Sequence, residues 1–306
     1  MCVIGFDTSN YTTSIACFDG IGGENCSKLL PVREGELGLR QSDAVFHHTK
    51  SLPELSGRLF SHVEGDIEAV GVSTRPRAVE GSYMPCFMVG YSHARMLAEA
   101  LKVPLVEVSH QQGHVAAALW SSGHMELMDQ PHLAWHLSGG TTELLLVEPE
   151  GKNVTCTKIG GTSDISAGQL IDRTGQLLEL PFPSGKHLDQ LSLEATGKDV
   201  FRVKCDHMTF SLSGVQNKVQ QFYASHADVA ETAAYALRCV CTAVVAATQQ
   251  AQKAYPGLPV VFSGGVASNR MLRQAVEHLN PVFSPPQFST DNAMGVAVLA
   301  MRAMEE

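Results

Sequence analysis

The sequence predicts a layered α/β protein of two lobes, and three observations predict it. Strand-like and helix-like segments alternate along most of the chain, as a layered α/β domain requires. A strand–turn–strand pattern near the start returns in the second half. The length, 306 residues, exceeds one small core and suits two domains of roughly 100–200 residues each. Hydrophobic residues make up 44% and charged residues 17%, which excludes a disordered chain.

The elements follow in order. Apolar runs at 2–7 (CVIGFD) and 13–18 (TSIACF) flank a polar turn from Thr8 to Thr12, a hairpin signature. Residues 67–73 (IEAVGVS) read as a strand, Phe87 to Leu101 as a helix, 103–109 (VPLVEVS) as a strand, and His110 to Trp120 as an Ala-rich helix. Then the opening returns. FDTSNYTTSIACFDG and HLSGGTTELLLVEPEG both place a small polar turn and a Thr-Thr pair before an apolar strand that ends in an acidic turn. The match suggests internal duplication; chance similarity of two hairpins is the alternative. The polar stretch 121–131 (SSGHMELMDQP) marks the boundary, giving lobes 1–125 and 126–306, with the final helix able to pack back on the first lobe. A strand at 258–265 (LPVVFSGG), a helix from Asn269 to Leu279 and a last helix from Asn292 to Met304 close the chain.

Bulk properties narrow the function. The formal charge is −9, so a phosphate backbone is repelled at long range, and nucleic-acid contact needs a local basic patch or a partner protein. The opening MCVIGFDTSN reads as a strand and not as a signal peptide. No run of about 18 apolar residues is apparent, so no membrane association is expected and the expected location is the cytoplasm. Eight scattered cysteines form no CxxC pair, which fits free thiols better than a disulfide framework or a zinc ribbon.

Three turns could hold phosphate. Ser138-Gly139-Gly140-Thr141-Thr142 sits between two strands, where glycines admit an anion close to backbone N–H groups. An unliganded Gly-Gly hairpin turn is the plain alternative. Asp7-Thr8-Ser9 is its counterpart in the first lobe. Asp7 and Ser9 are the catalytic candidates there, since a carboxylate could orient a phosphate-bound metal or water; ordinary capping by Asp7 is the alternative. Ser263-Gly264-Gly265-Val266-Ala267-Ser268-Asn269 follows a strand and opens a helix, a ready anion platform. Asn269 either caps that helix or bonds a base or ribose. The three glycine-bearing or hydroxyl-bearing turns together favour a nucleotide.

His110 and His114 stand at i and i+4, which puts both imidazoles on one helix face, suited to one metal ion. The helix start lies at the C-terminal end of a strand, where α/β proteins place sites. Surface histidines without a ligand role are the alternative. This is not a zincin motif, because Gln111 stands where the general-base Glu is needed. Asp291, just before the last helix, is the best candidate for a third ligand.

Taken in order, the segments GFDTSNYTTSIACFDG, VSHQQGHVAAALW, LSGGTTELLLVE, GGTSDISAGQLIDRTGQLLELPFPSG, FSLSGVQNKV, SGGVASNRMLR and STDNAMGVAVLAM resemble the TsaD family, which makes N6-threonylcarbamoyladenosine in tRNA. The resemblance covers nearly the whole chain. It implies an ASKHA fold, the duplicated two-lobed type of actin, Hsp70 and sugar kinases, with nucleotide in an interdomain cleft. It implies one divalent metal, Fe2+ or Zn2+ (Mn2+ also suits the donors), on His110, His114 and Asp291. It implies nucleotide or adenylate contacts from Leu137, Ser138, Gly139, Gly140 and Thr141, and from Asp172, Gly185, Asp189 and Asn269. The ligand is ATP or ADP, or threonylcarbamoyl-AMP. The implied reaction transfers the threonylcarbamoyl group to N6 of an adenosine in tRNA, with tRNA recruited through partner subunits, among them a TsaB-like paralogue.

The chain departs from the family pattern in places. Tyr11 replaces a second acidic residue of the first turn, Thr141 replaces the His of an SGGH turn, Arg75-Pro76-Arg77 replaces Gly-Pro-Gly, and Gln216 replaces a lysine. These changes lie near the expected phosphate and acceptor groups. They leave open a diverged paralogue: a catalytically weak regulator or scaffold, or a carbamoyl-type transferase with another acceptor. A metallopeptidase lacks its base at Gln111, and a kinase of the same superfold lacks an identifiable catalytic acid in the second lobe.

Overall fold

The computed structural model describes residues 1–31, 39–288 and 291–305; Ser289 and Thr290, which open the last of the motifs above, lie outside them. Two compact units emerge from the packing. The first is Met1–Gln130 with Glu148–Cys156 and Asp291–Glu306, and the second is Pro131–Val147 with Thr157–Thr290. Besides the last helix, allowed above to pack on the first lobe, the first unit takes in the tip of one hairpin, which a single cut after residue 125 leaves out.

The first unit is built on a five-stranded sheet. Its strands are β1 (Cys2–Ser9), β2 (Thr12–Phe18), β3 (Gly23–Leu29), β4 (Ile67–Arg75) and β5 (Leu105–Ser109), and its helices are α1 (Gln41–Phe60), α2 (Phe87–Leu101) and α3 (His110–Ser122). The strand order is β3-β2-β1-β4-β5. β1 and β2 pair antiparallel with Asp7 opposite Ser14 and Ser9 opposite Thr12. The turn is thus only Asn10-Tyr11. The expected turn from Thr8 to Thr12 is too long, because polar side chains at 7–9 continue the ladder once its backbone bonds are available. β1 pairs parallel with β4, and β4 with β5, the crossovers running through α1 and α2.

The second unit repeats the plan. It contains β6 (His132–Leu137), β7 (Thr142–Glu150), β8 (Asn153–Thr162), α4 (Ala167–Leu177), α5 (Gly185–Leu191), β9 (Cys205–Asp206), β10 (Thr209–Phe210), α6 (Ser213–His226), α7 (Val229–Ala254), β11 (Val260–Ser263), α8 (Arg270–Val276) and β12 (Pro281–Phe283). Its sheet order is β12-β11-β6-β7-β8-β10-β9. Read from the other side, β8-β7-β6-β11-β12 matches β3-β2-β1-β4-β5 strand for strand. The pairings match as well: β6–β7 antiparallel, β6–β11 and β11–β12 parallel. The short β10 and β9 extend only the second sheet. The duplication read from two hairpins therefore extends to the strand order of both whole sheets.

α7 is long and apolar enough to cross a membrane by length and composition alone. It is a core helix. Ala236, Cys239, Val240, Ala243, Val244, Ala247 and Ala251 are buried in one cluster with Trp135, Phe262 and Leu133 of the sheet, and Thr248 Oγ1 accepts a 2.9 Å bond from Trp135 Nε1. Its small side chains let the helix lie close to the strands.

The last helix, α9 (Met294–Ala303), lies in the first unit. It fits there because small residues face it from two sides. A Cβ on Gly5 of β1 would come within 2.6 Å of Ala293 O, and one on Gly71 of β4 within 2.8 Å of Val296 O. On the other side a Cβ on Gly295 would fall on Gly113 O of α3 and within 2.7 Å of Ala117 N. The sequence pattern places the helix correctly to within two residues at each end but says nothing of these three close approaches.

Candidate active site

In the first unit the site begins at the β5–α3 junction. Ser109 ends the strand in an extended conformation and caps the helix. Its Oγ accepts from Gln112 N at 3.2 Å, and Gln112 Oε1 accepts from Ser109 N at 2.8 Å. Gln112 Nε2 also donates to Val154 O at 2.7 Å. This box starts the helix at His110, so both histidines share the first turn and a half. The Ser-x-x-Gln spacing was available in the sequence as a capping signal.

The two imidazoles meet through their Nε2 atoms, 2.9 Å apart. Asp291 Oδ1 stands 3.1 Å from His114 Nε2 and 3.6 Å from His110 Nε2. These three donors lie within 4.8 Å of one another. Donors about 2.1 Å from a shared ion stand roughly 3.0–3.4 Å apart in octahedral or tetrahedral geometry, close to the observed separations. Asp291 is held at its post by the backbone beyond it: Ala293 N donates to Ser14 Oγ at 2.7 Å and to Asn25 Oδ1 at 3.0 Å. Neither residue was singled out from the sequence, since a hydroxyl in β2 and an amide in β3 carry no periodic signal.

Asp7 lies behind His110. Its Oδ2 is 2.8 Å from His110 Nδ1, and its Oδ1 accepts from Ser9 N at 3.0 Å. With Nδ1 bonded to the carboxylate, Nε2 faces Asp291 and His114, the arrangement that orients metal-binding histidines. Asp7 thus makes the capping contact to Ser9 N and contacts His110 as well. Ser9 Oγ is buried and has no hydrogen-bond partner among the described residues, which leaves a hydroxyl beside Asp7 open to a bound group.

Charge explains the pocket's appetite. Burial opposes a charged His110, but the Asp7 carboxylate and the ring's hydrogen bonds to Asp291 and Asp7 prevail and push it up to about 10. Burial likewise works to raise Asp7 and Asp291, and the facing imidazoles overcome it. Asp7 is held below the ordinary carboxylate range and Asp291 well below it. Two carboxylates set against two imidazole rings supply the donor types that suit a divalent cation. Asp7→Asn is expected to weaken metal affinity roughly 10–100-fold while leaving the melting transition nearly unchanged. Titration with Zn2+ against a competing chelator checks this.

The second unit brings the expected nucleotide residues into two neighbouring groups. In the first, Ser138 N donates to Thr141 O at 2.8 Å and Thr141 N to Ser138 Oγ at 3.1 Å, closing the turn with Gly139 and Gly140 exposed. Ser166, the cap of α4, donates from Oγ to Gly139 O at 2.6 Å. Gly264 adopts φ of 93°, and a Cβ there would fall on Leu137 O, so this glycine is required by conformation and by space. The two Gly-bearing turns thus touch through Leu137 and Gly264.

In the second group, Asp172 accepts from Ser184 N at 2.8 Å beside Gly185. Burial raises the Asp172 carboxyl, and that N–H only partly counters it. Asp189 Oδ1 accepts from Asn269 Nδ2 at 2.7 Å and from Arg270 N at 3.0 Å, and its Oδ2 from Arg270 Nε at 2.7 Å. Ile171, Leu188 and Val266, each close in sequence to one of these residues, pack in one apolar cluster and so hold the group together. Asn269 is a cap as well, its Oδ1 accepting from Leu272 N at 2.9 Å.

One expectation is corrected. Gly264-Gly265 does not open an α-helix; a 3-10 turn, Gly265–Ser268, intervenes, and α8 begins at Arg270 after the Asn269 cap. A glycine pair cannot nucleate the helix, whereas an Asn five residues after Gly264 can cap it. Arg270 itself was missed, because a cation after an N-cap looks like ordinary surface. Gln216, noted as a departure, accepts from Arg173 Nη1 at 2.7 Å; a lysine there would face the guanidinium.

The tRNA N6-adenosine threonylcarbamoyltransferase family, TsaD, matches residues 38–298. The chain belongs to this family. A tRNA N6-adenosine threonylcarbamoyltransferase from Streptococcus suis is 31% identical over 251 residues, covering 77% of this chain and 70% of that protein. Full-length HypF in its phosphate- and nucleotide-bound form superposes with a TM-score of 0.63 at 16% identity, over 100% of this chain and 47% of that one. A ROK family glucokinase from Streptomyces griseus, in complex with glucose and AMPPNP, does so with 0.55 at 11%, over 99% of this chain and 100% of that one. At such identities the structures share the fold, and the fold is the duplicated ASKHA type.

Proposed function

We propose that this TsaD-family protein transfers a threonylcarbamoyl group from its mixed anhydride with AMP to N6 of an adenosine in tRNA. The observation that carries the reading is the His110–His114–Asp291 set backed by Asp7, held on the fold of this family. N6 attacks the carbamoyl carbon, the bond from that carbon to the phosphate oxygen breaks, AMP leaves, and N6 gives up one proton. His110, His114 and Asp291 would hold a divalent ion, Fe2+ or Zn2+, which would supply Lewis-acid chemistry there.

The chain's own groups do the rest. Asp7 fixes the His110 tautomer, and Ser9 Oγ offers a hydroxyl beside it. Gly139 and Gly140 admit phosphate oxygens close to the backbone. The Asp172 carboxyl accepts from a ribose hydroxyl, and so does Asp189 once a hydroxyl competes with its Asn269 and Arg270 donors. ATP or ADP fits the same turns. The −9 charge favours recruitment of tRNA with partner subunits, a TsaB-like paralogue among them, and the proposed location is the cytoplasm.

The test is single-turnover transfer of labelled threonylcarbamoyl-AMP to an unmodified tRNA transcript, with partner subunits present. Wild type is expected to label tRNA, and Asp172→Ala to lose adenylate affinity by roughly tenfold, the value of about one hydrogen bond to a charged group. Metal-loaded wild type that binds the adenylate yet never labels tRNA overturns the reading. Thr141→His and Gln216→Lys in the same assay ask whether the departures limit the rate; Arg173 beside Gln216 predicts that the lysine alone brings no gain.

A further inference from the structure

Charge is divided unevenly between the units. The first carries 11 Lys and Arg against 20 Asp and Glu, the second 11 against 11. The entire net charge of the chain sits on the first unit, so a phosphate backbone meets long-range repulsion there and none from the second.

Within the second unit, residues 195–204 have neither helix nor strand, yet this segment and the turn after it are pinned by three side chains of α7. Glu231 Oε1 accepts from Thr196 N at 2.6 Å and Gly197 N at 2.7 Å. Arg238 donates to Asp199 O at 2.7 Å and Gly197 O at 2.9 Å. Gln250 donates to Cys205 O at 3.0 Å and accepts from Met208 N at 2.7 Å. Val203 turns inward, and Phe201, Arg202 and Lys204 are exposed on either side of it, with Lys198 just before. Phe201 keeps 39% of its surface open, and Lys218 Nζ of α6 lies 6.0 Å from its ring. Asp199 and Asp206 are the acidic side chains in this stretch.

We infer that this pinned segment, with Lys198, Phe201, Arg202, Lys204 and Lys218, is where the second unit holds the phosphate backbone of tRNA. The inference rests on tRNA being the acceptor. Cations spaced along a coil neutralise successive phosphates, and an exposed ring between them gives an unstacked base a platform. A coil fixed in advance by Glu231, Arg238 and Gln250 loses little freedom on binding.

The test measures binding of an unmodified tRNA transcript to the full chain by fluorescence anisotropy across a salt series of about 50–200 mM. The triple variant Lys198→Ala/Arg202→Ala/Lys204→Ala is compared with Lys28→Ala/Lys50→Ala/Lys102→Ala, an equal loss of exposed charge from the first unit. The first triple is expected to weaken binding at least about tenfold and to flatten the log–log salt dependence by up to about 3, one for each phosphate that no longer meets a cation. The second is expected to do little. ADP binding by all three proteins reports an intact nucleotide site. Equal effects of the two triples overturn the inference in favour of net charge. Unchanged tRNA affinity in the first triple, with loss of an acidic partner protein instead, overturns it in favour of a protein interface. If wild type transfers to tRNA and the first triple binds it normally, only the surface falls; if wild type neither binds nor labels tRNA with its partner subunits present, the acceptor reading falls with it.

Discussion

His114→Ala is expected to take bound metal from about one ion per chain to background and to cut transfer by more than about 100-fold, beyond the cost of losing an orienting partner. His114 Nε2 is the donor closest to both others, 2.9 Å from His110 Nε2 and 3.1 Å from Asp291 Oδ1, so its loss leaves two ligands that no longer share a centre. The side chain is buried on α3, but the residues around it are the small Gly113, Ala117 and Ala118, so the fold is expected to survive with a modest cavity cost. His93→Ala is the comparison. That imidazole takes no part in the set; its ring contacts Val89 O at 2.8 Å within α2. Metal analysis of the purified proteins, with thermal melts alongside, decides the matter. Full metal content in His114→Ala would mean the ion, if any, binds elsewhere.

Gly295→Val is expected to destabilise the first unit by about 3 kcal/mol or more and to lose the metal with it. A Cβ at 295 would fall on Gly113 O and press within 2.7 Å of Ala117 N, and both are backbone atoms of α3 that cannot swing aside. The same crossing carries both halves of the site, since His110 and His114 ride on α3 and Asp291 lies three residues before Met294, where α9 begins. Forcing the helices apart moves Asp291 off the histidines before it unfolds anything. Urea unfolding and metal retention, measured on the same sample, should fall together. A variant with wild-type stability and metal content would show that the two helices can separate without consequence.

Much was legible without coordinates. The i, i+4 spacing of His110 and His114 and the alternation of strand and helix are local signals, set by residues a few positions apart. The repeated hairpins disclosed the duplication, and the order of seven motifs disclosed the family. Asp291 was chosen by its place before the last helix and by the family resemblance.

What the sequence alone determined is therefore part of the element order, the His pair, the glycine-bearing turns and the family. Tertiary structure decided which of these meet. It put Asp7 behind His110, 103 positions away in sequence, and brought Asp291 to His114 across 177. It turned Asp189 toward Arg270, interposed a 3-10 turn after Gly264, and moved the hairpin tip and α9 into the first unit. The physical reason is range. Propensity and capping act within a turn or two of helix, whereas the packing of α9 against Gly5, Gly71 and Gly113 depends on the absence of side chains at three distant positions, which no local pattern records.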